Sequence, residues 1–270
     1  MYSARALHQI KASYAFLERN FHLCKRYLGW EIVFLVYTIV NTFAFGLIGK
    51  MMGGDANENV LYLVIGALMW SFLSALFHEV AHTISWERWE GTLEYTFMAP
   101  VHRLTHLIGV CVFAIIYGLV RSILVLIAAV LFFELNLSGA NLFGAMLVIA
   151  ASCFPFIGIG LAAAILPLLS PEKGAQTTQI IQGIILLVSG VYYGVDKLPL
   201  WIQPVSYASP ATYTLLGVRW ALLDGTPTSE LMPFIWWLLI SGIILIPIGF
   251  HIFMCGERYA KKHGKLKRSG

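Results

Sequence analysis

The sequence predicts an all-α membrane protein with six transmembrane helices. Of its 270 residues, 59% are hydrophobic and only 12% are charged, whereas an ordinary soluble domain carries about 25% charged residues. The mean hydropathy of +0.76 agrees with this composition. Apolar segments recur along the chain at lengths near the ~20 residues that a helix needs to cross a bilayer.

Residues 2–28 are predicted to form an amphipathic helix. Apolar residues such as Leu7, Tyr14 and Phe21 share one helical face, and Arg19 and Lys25 belong to the polar face. We expect such a helix to lie in the membrane interface and contact lipid. A helix packed on a neighbouring subunit is the alternative. The first thirty residues lack the apolar core of a cleavable signal peptide.

Six segments are candidate spans: 30–48, 60–81, 104–133, 142–168, 178–194 and 232–254. The third and fourth are long enough to tilt or to extend beyond the bilayer. Pro155 and Pro167 are expected to kink the fourth span, and Pro247 the sixth.

Basic residues predict the orientation of these spans. Most of them fall in the amino-terminal helix, in the polar stretch after the second span and in the segment 256–270, whereas the other side receives Lys50, Lys197 and Arg219. Basic loops remain in the cytoplasm, so both termini are expected to be cytoplasmic, in a multi-pass protein of the cell inner membrane. The net charge of +4 gathers at the two ends, and we expect no nucleic-acid partner.

A polar stretch at residues 86–100 interrupts the apolar first half of the chain. It carries the carboxylates Glu87, Glu90 and Glu94, and apolar spans flank it on both sides. A charged segment between two spans cannot lie in hydrocarbon, so it must face water or a protein partner. We interpret it as a short docking helix.

Local chemistry predicts the bounds of this docking helix. Thr92 is a suitable N-cap, and Glu94 falls in the first turn, where the helix dipole favours an anion. Gly91 permits a sharp change of direction after the second span. Pro100 is expected to end the helix.

A second unusual segment, residues 195–225, follows the fifth predicted span. Prolines interrupt it, and Trp201 suits a membrane interface. The apolar run 211–223 would extend only about 20 Å as a helix, which is too short to cross the bilayer. We therefore expect a re-entrant or interfacial helix on the outer side.

The sequence His78-Glu79-Val80-Ala81-His82 matches the zinc-binding pattern H-E-x-x-H. An intramembrane zinc metalloprotease is therefore the alternative function, with Asp224 from a distant Asp-Gly pair, or cytoplasmic Glu94 or His106, as a third ligand. Topology opposes Asp224, because the histidines fall at the cytoplasmic end of their span and Asp224 on the outer side. The simpler interpretation is polar residues at a helix end.

No other catalytic pattern stands out. The sequence contains neither G-x-S-x-G nor the P-loop pattern G-x-x-x-x-G-K-[ST]. We therefore expect no cofactor in this chain, and any work done by ATP must come from a partner. The four cysteines lack C-x-x-C spacing and are interpreted as packing residues.

Two motifs carry a resemblance to a known family. The run Glu87-Arg88-Trp89-Glu90-Gly91-Thr92-Leu93-Glu94, closed by Ala99-Pro100-Val101, resembles the cytoplasmic signature of permease subunits of type-2 ABC exporters. The outer segment is similar to the second signature of that family, with Leu198 to Ile202, Ser209 to Tyr213, and Arg219 with Leu222 to Gly225. Trp89 departs from the family pattern, which often has a small or polar residue there, and so does the histidine pair.

The resemblance implies one permease domain over residues 1–270, paired with a second copy or a homologous permease and with two ATP-binding subunits that hold ATP and Mg²⁺. It implies export, and the almost wholly apolar spans favour a hydrophobic or amphipathic substrate, such as a drug, a lipid or a lipid-linked glycan. The implied coupling residues are Glu87, Arg88, Glu90, Gly91, Thr92, Leu93, Glu94 and Pro100. The implied outer gate is Pro199, Trp201, Pro204, Pro210 and Tyr213. A membrane anchor that recruits an ATPase without transporting anything is a further hypothesis.

Three residues are candidates for the transport pathway. Arg121 lies well inside the third span, where charge is costly and usually faces protein or a cavity. Either an ion pair with another span or a transport role would explain it, and Glu134 is too far along the helix to pair with it. Tyr192 and Tyr193 could line an exit path, or could belong to the interfacial aromatic belt.

Overall fold

The computed structural model describes residues 2–53, 56–135, 137 and 139–264. Helices make up 86% of it and no strands occur among the described residues, so the predicted all-helical class is confirmed. The helices are α1 (Tyr2–Arg26), α2 (Leu28–Met51), α3 (Ala56–Glu90), α4 (Leu93–Met98), α5 (Arg103–Phe133), α6 (Leu142–Ala163), α7 (Ile165–Leu169), α8 (Pro171–Val188), α9 (Gln203–Ala208), α10 (Pro210–Leu222) and α11 (Thr228–Lys262).

Five helical segments in the described part are long and apolar enough to cross a membrane, where the sequence predicted six. They are Leu28–Met51, Asn57–Glu90, Arg103–Phe133, Leu142–Leu169 and Thr228–Lys262. The fifth predicted span, residues 178–194, corresponds to α8, whose apolar part is the shorter Gln176–Val188. That helix ends early because Gly190 adopts a φ of +67° and turns the chain.

The helices of the second and the last predicted spans, α3 and α11, are longer than the predicted 60–81 and 232–254. Helix α3 continues to Glu90, so the stretch 86–100 is not one short helix but the end of α3, a turn and the separate helix α4. In the fourth span, α6 passes through Pro155, and Pro167 lies in the short helix α7 that follows a break at Ala164. The predicted basic segment 256–270 begins inside α11, and its residues 265–270 lie outside the described residues.

Helix α3 is the central element of the bundle. Its side chains from Val60 to Ile84 supply much of the buried core, and it contacts α2, α5, α6, α8 and α10. Helices α6 and α11 form the most extensive pair. A Cβ on Gly249 would lie only 2.1 Å from the Gly158 carbonyl oxygen, so small residues allow these two backbones to approach closely.

The two polar segments lie at opposite ends of the bundle. Helix α4 follows the carboxyl end of α3 directly. At the other end of the bundle, Gly66 of α3 lies against the Val191 carbonyl and the Arg219 guanidinium. Arg219 belongs to the predicted outer segment 195–225. Gly66 and Glu90 are separated by about 36 Å along a helix that rises 1.5 Å per residue.

Candidate functional site

A tight turn separates α3 from α4. Gly91 adopts a φ of +77°, which favours glycine. Its amide donates to the Arg88 carbonyl over 3.1 Å, and the Thr92 amide donates to the Glu87 carbonyl over 2.8 Å. These bonds form the predicted change of direction at Gly91.

Thr92 occupies the N-cap position but does not cap α4 with its side chain. Its φ and ψ of −89° and −12° are helical, and its hydroxyl donates back to the Glu87 carbonyl over 3.2 Å. Glu94 lies in the first turn of α4, as predicted, and the helix ends at Met98, two residues before Pro100.

Glu87 points into the bundle. Its carboxylate Oε1 lies 2.6 Å from Nη1 of Arg19 in α1 and 3.1 Å from Nε2 of His106 in α5. The side chains of Glu87 and His106 are each only 2% exposed. One carboxylate therefore joins α1, α3 and α5.

Arg88 is also buried. Its Nη1 donates to the carbonyl of Pro167 over 3.2 Å and to that of Leu168. Both carbonyls belong to the last turn of α7, where the helix dipole favours a cation. Glu87 and Arg88 were predicted as bonding partners of another subunit, but the structure encloses both side chains and bonds them within the chain.

Arg103, the first residue of α5, holds the carboxyl end of α4. It donates from Nη1 to the Thr96 carbonyl over 3.1 Å and from Nη2 to the Phe97 carbonyl. Its Nε lies 2.9 Å from Oε1 of Glu257 in α11, and Lys261 Nζ lies 2.6 Å from the same oxygen. No site role was predicted for Arg103 or Glu257, because no local sequence pattern relates residues that are so far apart in the chain.

Helix α4 has a buried side and an exposed side. Leu93 and Phe97 are buried, and the Arg103 guanidinium carbon lies 4.4 Å from the Phe97 ring centre. On the exposed side, Tyr95 and Met98 are 75% and 73% exposed, and Trp89, near the end of α3, is 62% exposed. Of the remaining predicted coupling residues, Glu90, Thr92 and Pro100 are exposed and Glu94 is partly exposed.

The outer segment contains two helices, α9 and α10. Most of α10 is buried, including Pro210, whereas Pro199, Trp201 and Pro204 are exposed. The Tyr213 ring lies 5.3 Å from that of Trp237 in α11. The structure therefore brings Pro210 and Tyr213 into the bundle and leaves the other three predicted gate residues at the surface.

Arg219 is enclosed in this segment. Its guanidinium donates to the carbonyls of Gly190 and Val191 over 3.0 and 2.5 Å, and its carbon lies 3.6 Å from the Tyr62 ring centre. From the sequence, Arg219 was an outer basic residue and part of the second family signature. In the structure it attaches α10 to the turn after α8.

Arg121 attaches α5 to α2. It donates to the Phe34 carbonyl and the Thr38 hydroxyl, each over 2.7 Å, and to the Tyr117 hydroxyl over 3.0 Å. Tyr117 donates in turn to Glu31 Oε2 over 2.6 Å. Arg121 therefore contacts another span, but the Tyr117 hydroxyl lies between its guanidinium and the Glu31 carboxylate.

Two cavities lie beside this network. One of about 390 Å³ includes Arg121, His78, Glu79 and Tyr192 in its lining, and one of about 380 Å³ shares Phe34 and Glu79 with it. The Tyr192 ring stacks on Phe45 with centres 4.1 Å apart. Tyr193 does not line either cavity, and its hydroxyl donates to the Leu187 carbonyl.

The histidine pair does not assemble a metal centre. His78 and His82 stack with ring centres 5.4 Å apart, but the described residues contain no group of three or more His, Cys, Asp or Glu able to hold a metal ion. Glu87 holds His106, and Asp224 follows α10, at the opposite end of the bundle from α4. The zinc metalloprotease alternative is therefore not favoured.

The apolar helices and the polar insert define a multi-pass helical membrane protein. A family profile described as "ABC-2 type transporter" matches residues 13–223. This match covers most of the chain, and the chain belongs to that family, as the resemblance of its motifs implied. It is the membrane component of an ABC transporter. No curated protein matches the sequence.

Proposed function

We propose that the chain is the membrane-spanning subunit of an ATP-driven exporter. It moves a hydrophobic or amphipathic substrate, such as a drug, a lipid or a lipid-linked glycan, out of the cytoplasm or the inner leaflet. Two separate ATP-binding subunits hold ATP and Mg²⁺ and hydrolyse ATP. The permease works as a dimer with a second copy or a homologous permease, and it performs no chemistry itself.

The observation that carries this proposal is a short helix that is fixed on its inner side and exposed on its outer side. Arg103 holds the last carbonyls of α4 and is itself bonded to Glu257 of α11. On its outer side, Tyr95 and Met98 expose most of their surface, as does Trp89 at the end of α3. Exposed large apolar side chains at a polar end of a membrane protein are typical of a protein interface.

This arrangement supports α4 as a coupling helix. Force applied to it by a partner would pass through the turn at Gly91 to α3 and through Arg103 to α5 and α11. Glu90 and Glu94 then offer carboxylates to the partner, together with Thr92 and Pro100. Glu87, Arg88 and Leu93 support the segment from inside.

The exposed face of α1 supports a cytoplasmic amino terminus and contact with lipid. Leu7, Ile10 and Tyr14 are 53%, 67% and 62% exposed, although α1 packs on α5. An apolar stripe left uncovered beside a basic face suits the headgroup region of a membrane. We therefore place α1 and α4 on the cytoplasmic side of the cell inner membrane.

The depth of α10 supports a re-entrant segment at the outer end. Ala211, in its first turn, packs with Phe72, Leu76 and Phe156, which lie near the middle of their helices. Leu222, at its other end, joins the core cluster nearer the outer surface. We propose that α8 also crosses the membrane, which brings the number of spans to six. We further propose that α9 and α10, with Tyr213 and Trp201, gate the outer exit.

The 390 Å³ cavity supports a pathway beside α2. Hydroxyl and amide side chains of Thr38, Asn41, Ser74 and Gln182 line it together with aromatic rings. Val33, Val36 and Val40 of α2 are more than half exposed. We propose that a second permease subunit covers this face and completes the pathway.

Purification from native membranes tests the proposal. The chain should copurify with a P-loop ATPase, and Tyr95→Asp should abolish that association. The matched control is Tyr207→Asp, at a tyrosine of the outer segment that is also exposed, which should retain the ATPase. Equal retention by both variants would contradict the role of α4. ATP-dependent substrate flux in proteoliposomes separates an exporter from an anchor that only recruits an ATPase.

A further inference from the structure

An aromatic cavity of about 380 Å³ lies between α1, α2, α3 and α5. Rings and two carboxylates make up most of the lining of this aromatic cavity, which also includes Arg19 and His82. Its aromatic lining consists of Tyr27, Trp30, Phe34, Trp86, Phe113 and Tyr117. Trp30 and Phe34 are 65% and 52% exposed, so the cavity opens sideways along α2.

Two carboxylates, Glu31 and Glu79, line the aromatic cavity. Glu31 accepts a hydrogen bond from the Tyr117 hydroxyl over 2.6 Å. Within the described part of the chain, no hydrogen bond or ion pair reaches the Glu79 carboxylate. An ionised carboxylate in such a partly buried position is costly without a partner.

The two guanidinium groups nearby are already engaged. Arg19 forms an ion pair with Glu87. Arg121 donates to Tyr117 and to α2. Apart from the Arg19–Glu87 pair and the imidazole of His82, which also lines the cavity, the surroundings hold two carboxylates and one guanidinium. One additional positive charge in the cavity would therefore balance them.

We propose that the aromatic cavity binds the positively charged group of a cationic amphiphile, with Glu79 and Glu31 as its counter-charges. Aromatic faces attract cations as well as hydrocarbon, so the rings accommodate both parts of such a molecule. An anion would meet two carboxylates in the same space. This inference rests on the proposed transport function, since it names the substrate class of the permease.

Binding of two matched lipophilic ions tests the proposal. The full-length chain in lipid nanodiscs is titrated with radiolabelled tetraphenylphosphonium and, separately, with tetraphenylborate, which has nearly the same shape and the opposite charge. Empty nanodiscs give the lipid background. We expect saturable binding of the phosphonium only.

Glu79→Gln should weaken phosphonium binding by about tenfold or more, since a buried charge partner is worth at least about 1.4 kcal/mol. Glu31→Gln should also weaken phosphonium binding. Trp86→Leu removes one ring of the lining and should weaken phosphonium binding as well. Glu230→Gln, at an exposed carboxylate of α11, removes the same charge elsewhere and should bind as wild type does. Melting temperatures identify any misfolded variant. The phosphonium affinities of the folded variants then test the proposal.

Equal binding of the two ions, or wild-type affinity in both Glu79→Gln and Glu31→Gln, would overturn the proposal. Either result would leave the association of α4 with an ATPase untouched. Conversely, retention of the ATPase by Tyr95→Asp would contradict the coupling role without changing the ion selectivity. The two accounts therefore fail separately.

Discussion

Arg103 and Glu257 form an ion pair across the bundle, with 2.9 Å between Nε and Oε1. Through this pair the first residue of α5 is joined to the end of α11. The same guanidinium binds the last carbonyls of α4. The position of the exposed α4 therefore depends on two residues that lie more than 150 positions apart in sequence.

Glu257→Gln should loosen α4 and uncouple the partner ATPase from transport. The substitution keeps the shape of the side chain but removes the negative charge that pairs with Arg103 and Lys261. We expect ATPase activity to persist while substrate flux falls several-fold. Glu230→Gln serves as the control, and unchanged flux in Glu257→Gln would contradict the supporting role of the pair.

Glu87→Ala should destabilise the protein strongly. It leaves Arg19 and the buried His106 without their carboxylate, and breaking a buried pair typically costs about 3–5 kcal/mol. Glu90→Ala, three residues further along at an exposed position, should change the free energy of unfolding by less than about 0.5 kcal/mol. Denaturant titration in detergent measures both, and equal values would show that Glu87 is not an internal anchor.

Gly91→Ala should destabilise the turn by about 1–2 kcal/mol, because a Cβ is unfavourable in the left-handed conformation. The cost is purely conformational, since no atom lies within 4 Å of the added Cβ. Gly29→Ala is the matched control, because it meets equally open space without a positive φ. A melting temperature that falls in both variants alike would contradict the turn geometry.

Cys24 should react slowly with maleimide at pH 8 and faster as the pH rises. Burial raises the pKa of its thiol to about 12, and only the thiolate attacks the reagent. Its reactive fraction therefore increases with pH through that value. Cys255 is exposed and should be modified first. Mass spectrometry of labelled peptides from wild type and Cys24→Ser checks this order.

Sequence patterning predicted the helices and the turn at Gly91, because apolar periodicity and glycine chemistry act locally. It did not predict that Glu87 and Arg88 face inward. One signal was available: Ile84, Glu87 and Arg88 follow at spacings of three and four, so the buried stripe of α3 continues into the charged pair. Because Glu87 and Arg88 are charged, they were expected to face solvent, and this continuation of the buried stripe was not predicted.

The contacts that fix the site could not be read from the sequence. Arg103 and Glu257, or Arg219 and the Val191 carbonyl, meet only because separate helices pack together. The length of α8 likewise depends on the turn at Gly190 rather than on hydropathy, which continues to residue 194. Both features are set by tertiary packing.

Photo-crosslinking at Tyr95 tests the central claim most directly. A photoreactive amino acid is placed at position 95 in native membranes, with the same residue at position 207 as the control, and the crosslinked proteins are identified by mass spectrometry. The account predicts a P-loop ATPase captured from position 95 alone. If no P-loop protein is captured there, α4 does not couple this chain to an ATPase.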